Sequence, residues 1–161
     1  MTTAHTASSL LAGSLSWGYD WAWGLPLIVT TVLIHVFGLV LINQRAARAS
    51  RRTIQRRHPT AVFVMVMGLT TLSVSVLHGM EAGIWAAAYR SLGALPDIRS
   101  AMLYSLNAIT SYGHIELHLE SRWHLLGALE ALNGWLLFGL TTAFLFAMIQ
   151  KVLLNDNLDY R

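Results

Sequence analysis

Four side chains alternate along one short stretch: His114, Glu116, His118 and Glu120, with His124 beyond them. In an extended segment alternate residues share one side. Two imidazoles and two carboxylates on one side can hold zinc or a related divalent metal. They can also take up protons near the ordinary histidine pKa of about 6.5. The spacing matches no established zinc motif, and His and Glu are also common in a solvated loop. Three readings therefore stand for His114, Glu116 and His118: a wet loop, a pH-responsive group and a metal site.

A second set of polar residues interrupts apolar runs: His35, His78, Glu81, Glu130 and Asn133. Ionisable groups at membrane depth are expensive and are functional candidates by default. His78 and Glu81 stand at i, i+3 and can pair on one helix. His35 is isolated in its run, so it either bonds a neighbouring helix or senses protons. No Ser/His/Asp order, metalloprotease string or glycine-rich phosphate loop accompanies these residues. The chain has no cysteine, hence no disulfide, no iron–sulfur cluster and no thiol nucleophile. An enzyme is not expected, nor a bound organic cofactor.

The elements that must carry these groups follow from composition. Of 161 residues, 55% are hydrophobic and 12% charged, against about a quarter charged in a soluble domain. That balance excludes a soluble globule, a disordered chain and a nucleic-acid binder, and leaves the lipid bilayer as the principal partner. The net charge of +3 is not a basic surface. Six of the eleven Lys and Arg fall at Arg45, Arg48, Arg51, Arg52, Arg56 and Arg57.

Three apolar runs are long enough for spanning helices, which need roughly 17–25 residues. The first transmembrane helix is expected at 25–44, after an external N-terminal segment 1–24. Its positive charges follow rather than precede it, unlike those of a signal peptide. The basic loop 45–59 stays in the cytoplasm by the positive-inside rule and offers arginines to anionic head groups. A second helix starts near 60. His78, Glu81, Trp85 and Tyr89 share one of its faces, so it is expected to continue to about Arg90. Gly93 and Pro96 mark a turn, and Asp97 is placed to N-cap a short segment over 97–109. That segment is too short and too mixed to span, and fits a re-entrant helix. The last helix covers 125–149, followed by a cytoplasmic tail 151–161. The expected fold is an all-α, multi-pass membrane protein of three transmembrane helices. A re-entrant helix lies between the second and third, the N-terminus outside and the C-terminus cytoplasmic, in the cell (inner) membrane.

Helix, short re-entrant helix, glycine-containing stretch and helix is also the order of the tetrameric cation-channel pore module. Tyr104-Ser105-Leu106 followed by Ala108-Ile109-Thr110-Ser111-Tyr112-Gly113-His114 resembles the pore-helix and filter segment of potassium channels. The stretch LLGALEALNGWLLFGLTTAFLFAMI resembles the inner helix of small bacterial members of the potassium-channel pore-domain family. The resemblance covers residues 60–150. It implies a homotetramer with a filter at Thr110, Ser111, Tyr112, Gly113 and His114, and an inner cavity at Thr141 and Thr142. Glu130, Asn133, Glu81 and His78 would stand behind the filter. The permeant ion would be monovalent, K+ or Na+. His114 would ring the outer mouth, with a possible divalent metal there.

The filter departs from the family's T-V-G-Y-G string, and two registers are open. Aligning Tyr112-Gly113 with the family's Tyr-Gly loses two residues. Aligning Thr110 with the family's Thr puts Tyr112 and His114 at glycine positions. A potassium filter stacks backbone carbonyls, and aiming successive carbonyls inward needs residues that tolerate left-handed backbone. With only Gly113 kept, weak selectivity for potassium is expected. The alternative is a non-conducting membrane sensor or accessory subunit that kept the pore-module fold. No soluble partner is indicated.

Overall fold

The computed structural model describes residues 2–53, 59–113 and 118–159. They form α1 (Thr2–Thr53), α2 (Pro59–Ser91), α3 (Ile98–Ile109), a 3-10 turn (Ser121–Trp123) and α4 (His124–Asp159). Three segments are long and apolar enough to cross a membrane: Trp17–Arg48, Thr60–Ser91 and His124–Lys151. The fold is all-α, with the short α3 set between the second and third of these.

Helix α1 is far longer than the 25–44 read from hydropathy, running through the N-terminal segment and into the basic stretch. The physical reason is local. Its C-terminal flank is rich in Ala and Arg, which are good helix formers. Its N-terminal flank has Ala and Leu among Ser, Thr and Gly, with no proline to stop the helix. Hydropathy reports what suits lipid, whereas backbone propensity sets where a helix stops.

Helix α2 begins at Pro59, where a missing N–H removes no intrahelical bond. It ends in a Schellman cap. Ala94 N–H returns to Tyr89 O at 2.9 Å and Gly93 N–H to Arg90 O at 3.3 Å, with Gly93 at φ 67°. The chain then turns through Pro96 to Asp97, whose extended backbone (φ −144°, ψ 160°) opens α3. Asp97 Oδ1 accepts the Ser100 backbone N–H at 2.9 Å and Oδ2 accepts the Ser100 hydroxyl at 2.7 Å. These bonds hold the Asp97 carboxyl below the usual carboxylate range, the backbone N–H contributing most.

Helix α1 packs against α2 on one side and α4 on the other. Helix α3 wedges between α2 and α4, which otherwise touch little. Polar contacts fix the directions. His78 meets Thr141 while Tyr89 meets Glu130, so α2 and α4 are antiparallel. Thr31 meets Asn133 while His35 meets Thr141, so α1 and α4 run the same way. The densest core lies around Trp85, Tyr89, Tyr104, Trp123 and Leu126, where α2, α3, the 3-10 turn and α4 converge.

Apolar area cannot hold such helices together, because lipid is as apolar as leucine. Close approach and interhelical hydrogen bonds must do so. At Gly24 and Gly38 of α1 an added Cβ would run into Leu129 and Leu77. At Gly134 of α4 it would run into the carbonyl of Ile109, the last residue of α3.

Candidate functional site

Three tiers of buried polar contacts cross the helix bundle. In the first, Tyr89 donates to Glu130 Oε2 at 2.7 Å. The Ser105 hydroxyl, on α3, touches Glu130 Oε1 and reaches Ala82 O of α2 at 2.7 Å. Tyr104 packs edge-on against Tyr89, ring centroids 5.2 Å apart. Glu130 and Ser105 are both fully buried. One carboxyl group thus ties α3 to the helices on either side of it.

The second tier joins α1 to α4. Asn133 Nδ2 donates to Thr31 Oγ1 at 2.9 Å, and the Thr31 hydroxyl reaches Leu27 O at 2.8 Å. Asn133 Oδ1 has no partner among the described residues. Asp20 of α1 is also buried, beside the backbone of Leu126 in the first turn of α4, and its Oδ1 has no hydrogen-bond partner among the described residues. The first turn of α4 has no acidic residue of its own. Asp20 thus places a carboxyl group from another helix beside the N-terminus of α4, the end a negative charge favours.

The third tier joins α1, α2 and α4. His35 Nδ1 lies 2.8 Å from Glu81 Oε1. His35 Nε2 lies 3.1 Å from Thr141 Oγ1, and so does His78 Nε2. His78 Nδ1 is 3.2 Å from Glu81 Oε2, at an angle outside hydrogen-bonding geometry. That oxygen has no hydrogen-bond partner among the described residues. The two imidazole rings are tilted by 42° to one another, centroids 5.0 Å apart. His35, His78 and Glu81 each offer one donor atom, all within 4.8 Å of one another, so the cluster could hold a metal ion.

A pocket of about 490 Å³ opens beside this tier. Ser75, His78 and Gly79 line it from α2, Gly134, Trp135 and Phe138 from α4, and Ile109, Thr110 and Ser111 from the end of α3. That end is a second Schellman cap. Tyr112 N–H returns to Asn107 O at 3.0 Å and Ser111 N–H to Ala108 O at 2.9 Å. Here the left-handed residue is Ser111, at φ 55°. The Thr110 hydroxyl bonds Leu106 O at 2.6 Å. Tyr112 is 79% exposed and Gly113 has φ 91°.

The residues singled out in the sequence therefore fall in different places. Thr110, Ser111 and Tyr112 form the cap of α3. His114 and Glu116 lie outside the described residues, and His118 is exposed. Glu130 meets α3, whereas Asn133 turns to α1. His78 and Glu81 belong to the third tier with Thr141, which is buried, while Thr142 is exposed and bonds Phe138 O on its own helix. Sequence reasoning treated His35 as isolated and did not join it to Glu81, 46 positions away. The available signal was one histidine alone in a charge-free run. Compared with protein-family models, curated proteins and solved structures, the chain matches none.

Proposed function

We propose that the chain is the subunit of a homotetrameric cation channel of the potassium-channel-like pore-domain family. It would lie in the inner membrane, N-terminus outside and C-terminus cytoplasmic. The observation that carries this reading is the tether of α3. A helix too short to span is pinned on both sides through Ser105 and Glu130, and its last carbonyl is pressed against Gly134. Its C-terminal end, with Thr110 and Ser111, borders an open pocket. A helix C-terminus presents about half a negative charge, and hydroxyls beside it can ligate a partly hydrated cation. Four such ends around an axis would favour a monovalent cation, K+ or Na+.

Selectivity between them is weak in this reading. Residues 110–112 spend their N–H groups on a helix cap, and the left-handed position falls on Ser111 rather than on glycine. The same cap favours a second reading, a non-conducting sensor or accessory subunit of the same architecture. Purified protein in liposomes separates them. The channel reading expects cation flux and a reversal potential near zero under bi-ionic potassium and sodium. A potential approaching that of a strongly selective potassium pore overturns the weak selectivity. A tetramer without flux across pH and cation conditions favours the accessory subunit. Only monomers or dimers by native mass spectrometry removes the channel.

A further inference from the structure

We propose that His35, His78 and Glu81 form a binding site for a divalent transition-metal ion of the zinc class, buried between α1, α2 and α4. The first argument is the direction of the lone pairs. Thr141 Oγ1 stands 3.1 Å from Nε2 of both histidines, and a hydroxyl oxygen has two lone pairs to accept both N–H groups. When both rings donate there, both Nδ1 atoms are bare. They then face the two oxygens of Glu81, at 2.8 Å and 3.2 Å. In the other tautomer His35 Nδ1–H bonds Glu81 Oε1. A cation among these four atoms replaces that one bond and satisfies His78 Nδ1 and Glu81 Oε2 as well.

The second argument is the unsatisfied oxygen. Glu81 is fully buried, and its Oε2 has no hydrogen-bond partner among the described residues. A buried acceptor left unpaired costs roughly 1–3 kcal/mol, more when charged. A metal ion satisfies that oxygen and both ring nitrogens together.

The donor set chooses the ion. Two imidazole nitrogens and a carboxylate oxygen suit zinc and its neighbours, whereas magnesium and calcium take oxygen ligands. Tetrahedral zinc, with bonds of about 2.0–2.1 Å, separates its ligand atoms by roughly 3.4 Å. The donor atoms lie between 2.8 Å and 4.8 Å apart, on either side of that separation, so a small adjustment brings them to it. Thr141 supplies what ligating histidines ordinarily have, an oxygen acceptor on the far nitrogen that fixes tautomer and ring orientation. Access is also present. His35 and Glu81 are fully buried, but the His78 side chain is 27% exposed and lines the pocket at the end of α3. A hydrated ion can arrive there and keep a water as fourth ligand.

The test uses the full chain, purified in detergent on a tag without histidine. Zinc content is measured after equilibration and desalting, and cobalt serves as the spectroscopic probe. About one zinc per chain is expected. Bound cobalt should show the intense visible absorption of a four- or five-coordinate site, undiminished by excess calcium or magnesium. His35→Gln and Glu81→Gln should abolish both signals, and Thr141→Val should weaken binding roughly tenfold to a hundredfold. His114→Asn combined with His118→Asn should leave binding intact. A cobalt spectrum unchanged from the free aqueous ion overturns the site in the native chain, whether or not any variant folds. Zinc bound equally by His35→Gln and Glu81→Gln, or lost from the His114/His118 variant, places the metal elsewhere and also overturns it. None of these readouts needs ion flux, so they stand or fall apart from the channel reading.

Discussion

Ser111 carries backbone strain that its neighbours along the chain avoid. The turns that follow α2 and α3 use the same cap, but one has Gly93 at the left-handed position and the other has Ser111. A Cβ in that conformation costs about 1–2 kcal/mol, and nothing in a Schellman cap requires a side chain there. Ser111→Gly is therefore expected to raise the thermal stability of the purified protein, by about 1 kcal/mol. Ser111→Val should lower it, since a β-branched residue tolerates positive φ least. If Ser111→Gly were neutral or harmful, the hydroxyl would have a role beyond capping, such as lining an ion path. Ser111 borders the pocket, so flux and stability should be measured on the same variant. A rise in stability with a fall in flux would mark strain held for function.

At the scale of elements, α3 depends on its two ends. Its N-terminal end rests on Asp97, whose carboxyl is held below the usual range by Ser100. A carboxylate with a depressed folded pKa stabilises above its unfolded pKa, and that contribution is lost as pH falls through the folded value. Wild-type stability should therefore decline below about pH 4, and Asp97→Ala should flatten the part of that decline due to the cap. Thermal unfolding between pH 7 and pH 3 measures it. The C-terminal end rests on Gly134, where an added methyl meets the Ile109 carbonyl. Overpacking of this kind costs about 1–3 kcal/mol, so Gly134→Ala should lower the melting temperature. Gly139→Ala, with nothing near its Cβ, should not. Equal effects would show that helix propensity rather than the α3 contact decides. The cap at Asp97 and the turn at Gly93 were legible in the sequence because they are local, decided within four or five residues. The His78–Glu81 pairing was legible for the same reason, as one helical turn. The placement of His35 and of Thr141 was not. Each sits in an apolar run with no local partner, and only the crossing of α1, α2 and α4 brings them to Glu81. The Schellman cap at Thr110–Tyr112 was hidden by its serine, since the usual glycine signal stands two residues later.

At the scale of the molecule, helix directions turn a charge pattern into an orientation. Helices α1 and α4 run the same way and α2 runs against them. Arg48, near the C-terminal end of the first span, and Glu120, just before α4, therefore lie at opposite ends of the bundle. Short arginine-rich segments are retained in the cytoplasm, and Arg45 to Arg57 is the one strong cluster in the chain. Translocating it would also move charge against a membrane potential worth about 2.3 kcal/mol per charge per 100 mV. In the proposed topology the N-terminal end of α1 and residues 118–123 are outside, and the pocket end of α3 lies near mid-bundle, beside Ser75 and Phe138. The chain has no cysteine, so each introduced thiol is the sole site of labelling. Arg48→Cys and Glu120→Cys both replace exposed residues. In intact cells an impermeant maleimide should label Glu120→Cys at once, and Arg48→Cys only after the membrane is opened. Labelling of both from outside would mean the bundle does not span as three crossings. The reverse pattern would keep the fold but invert it, turning the arginines outward and removing the charge argument for the proposed topology.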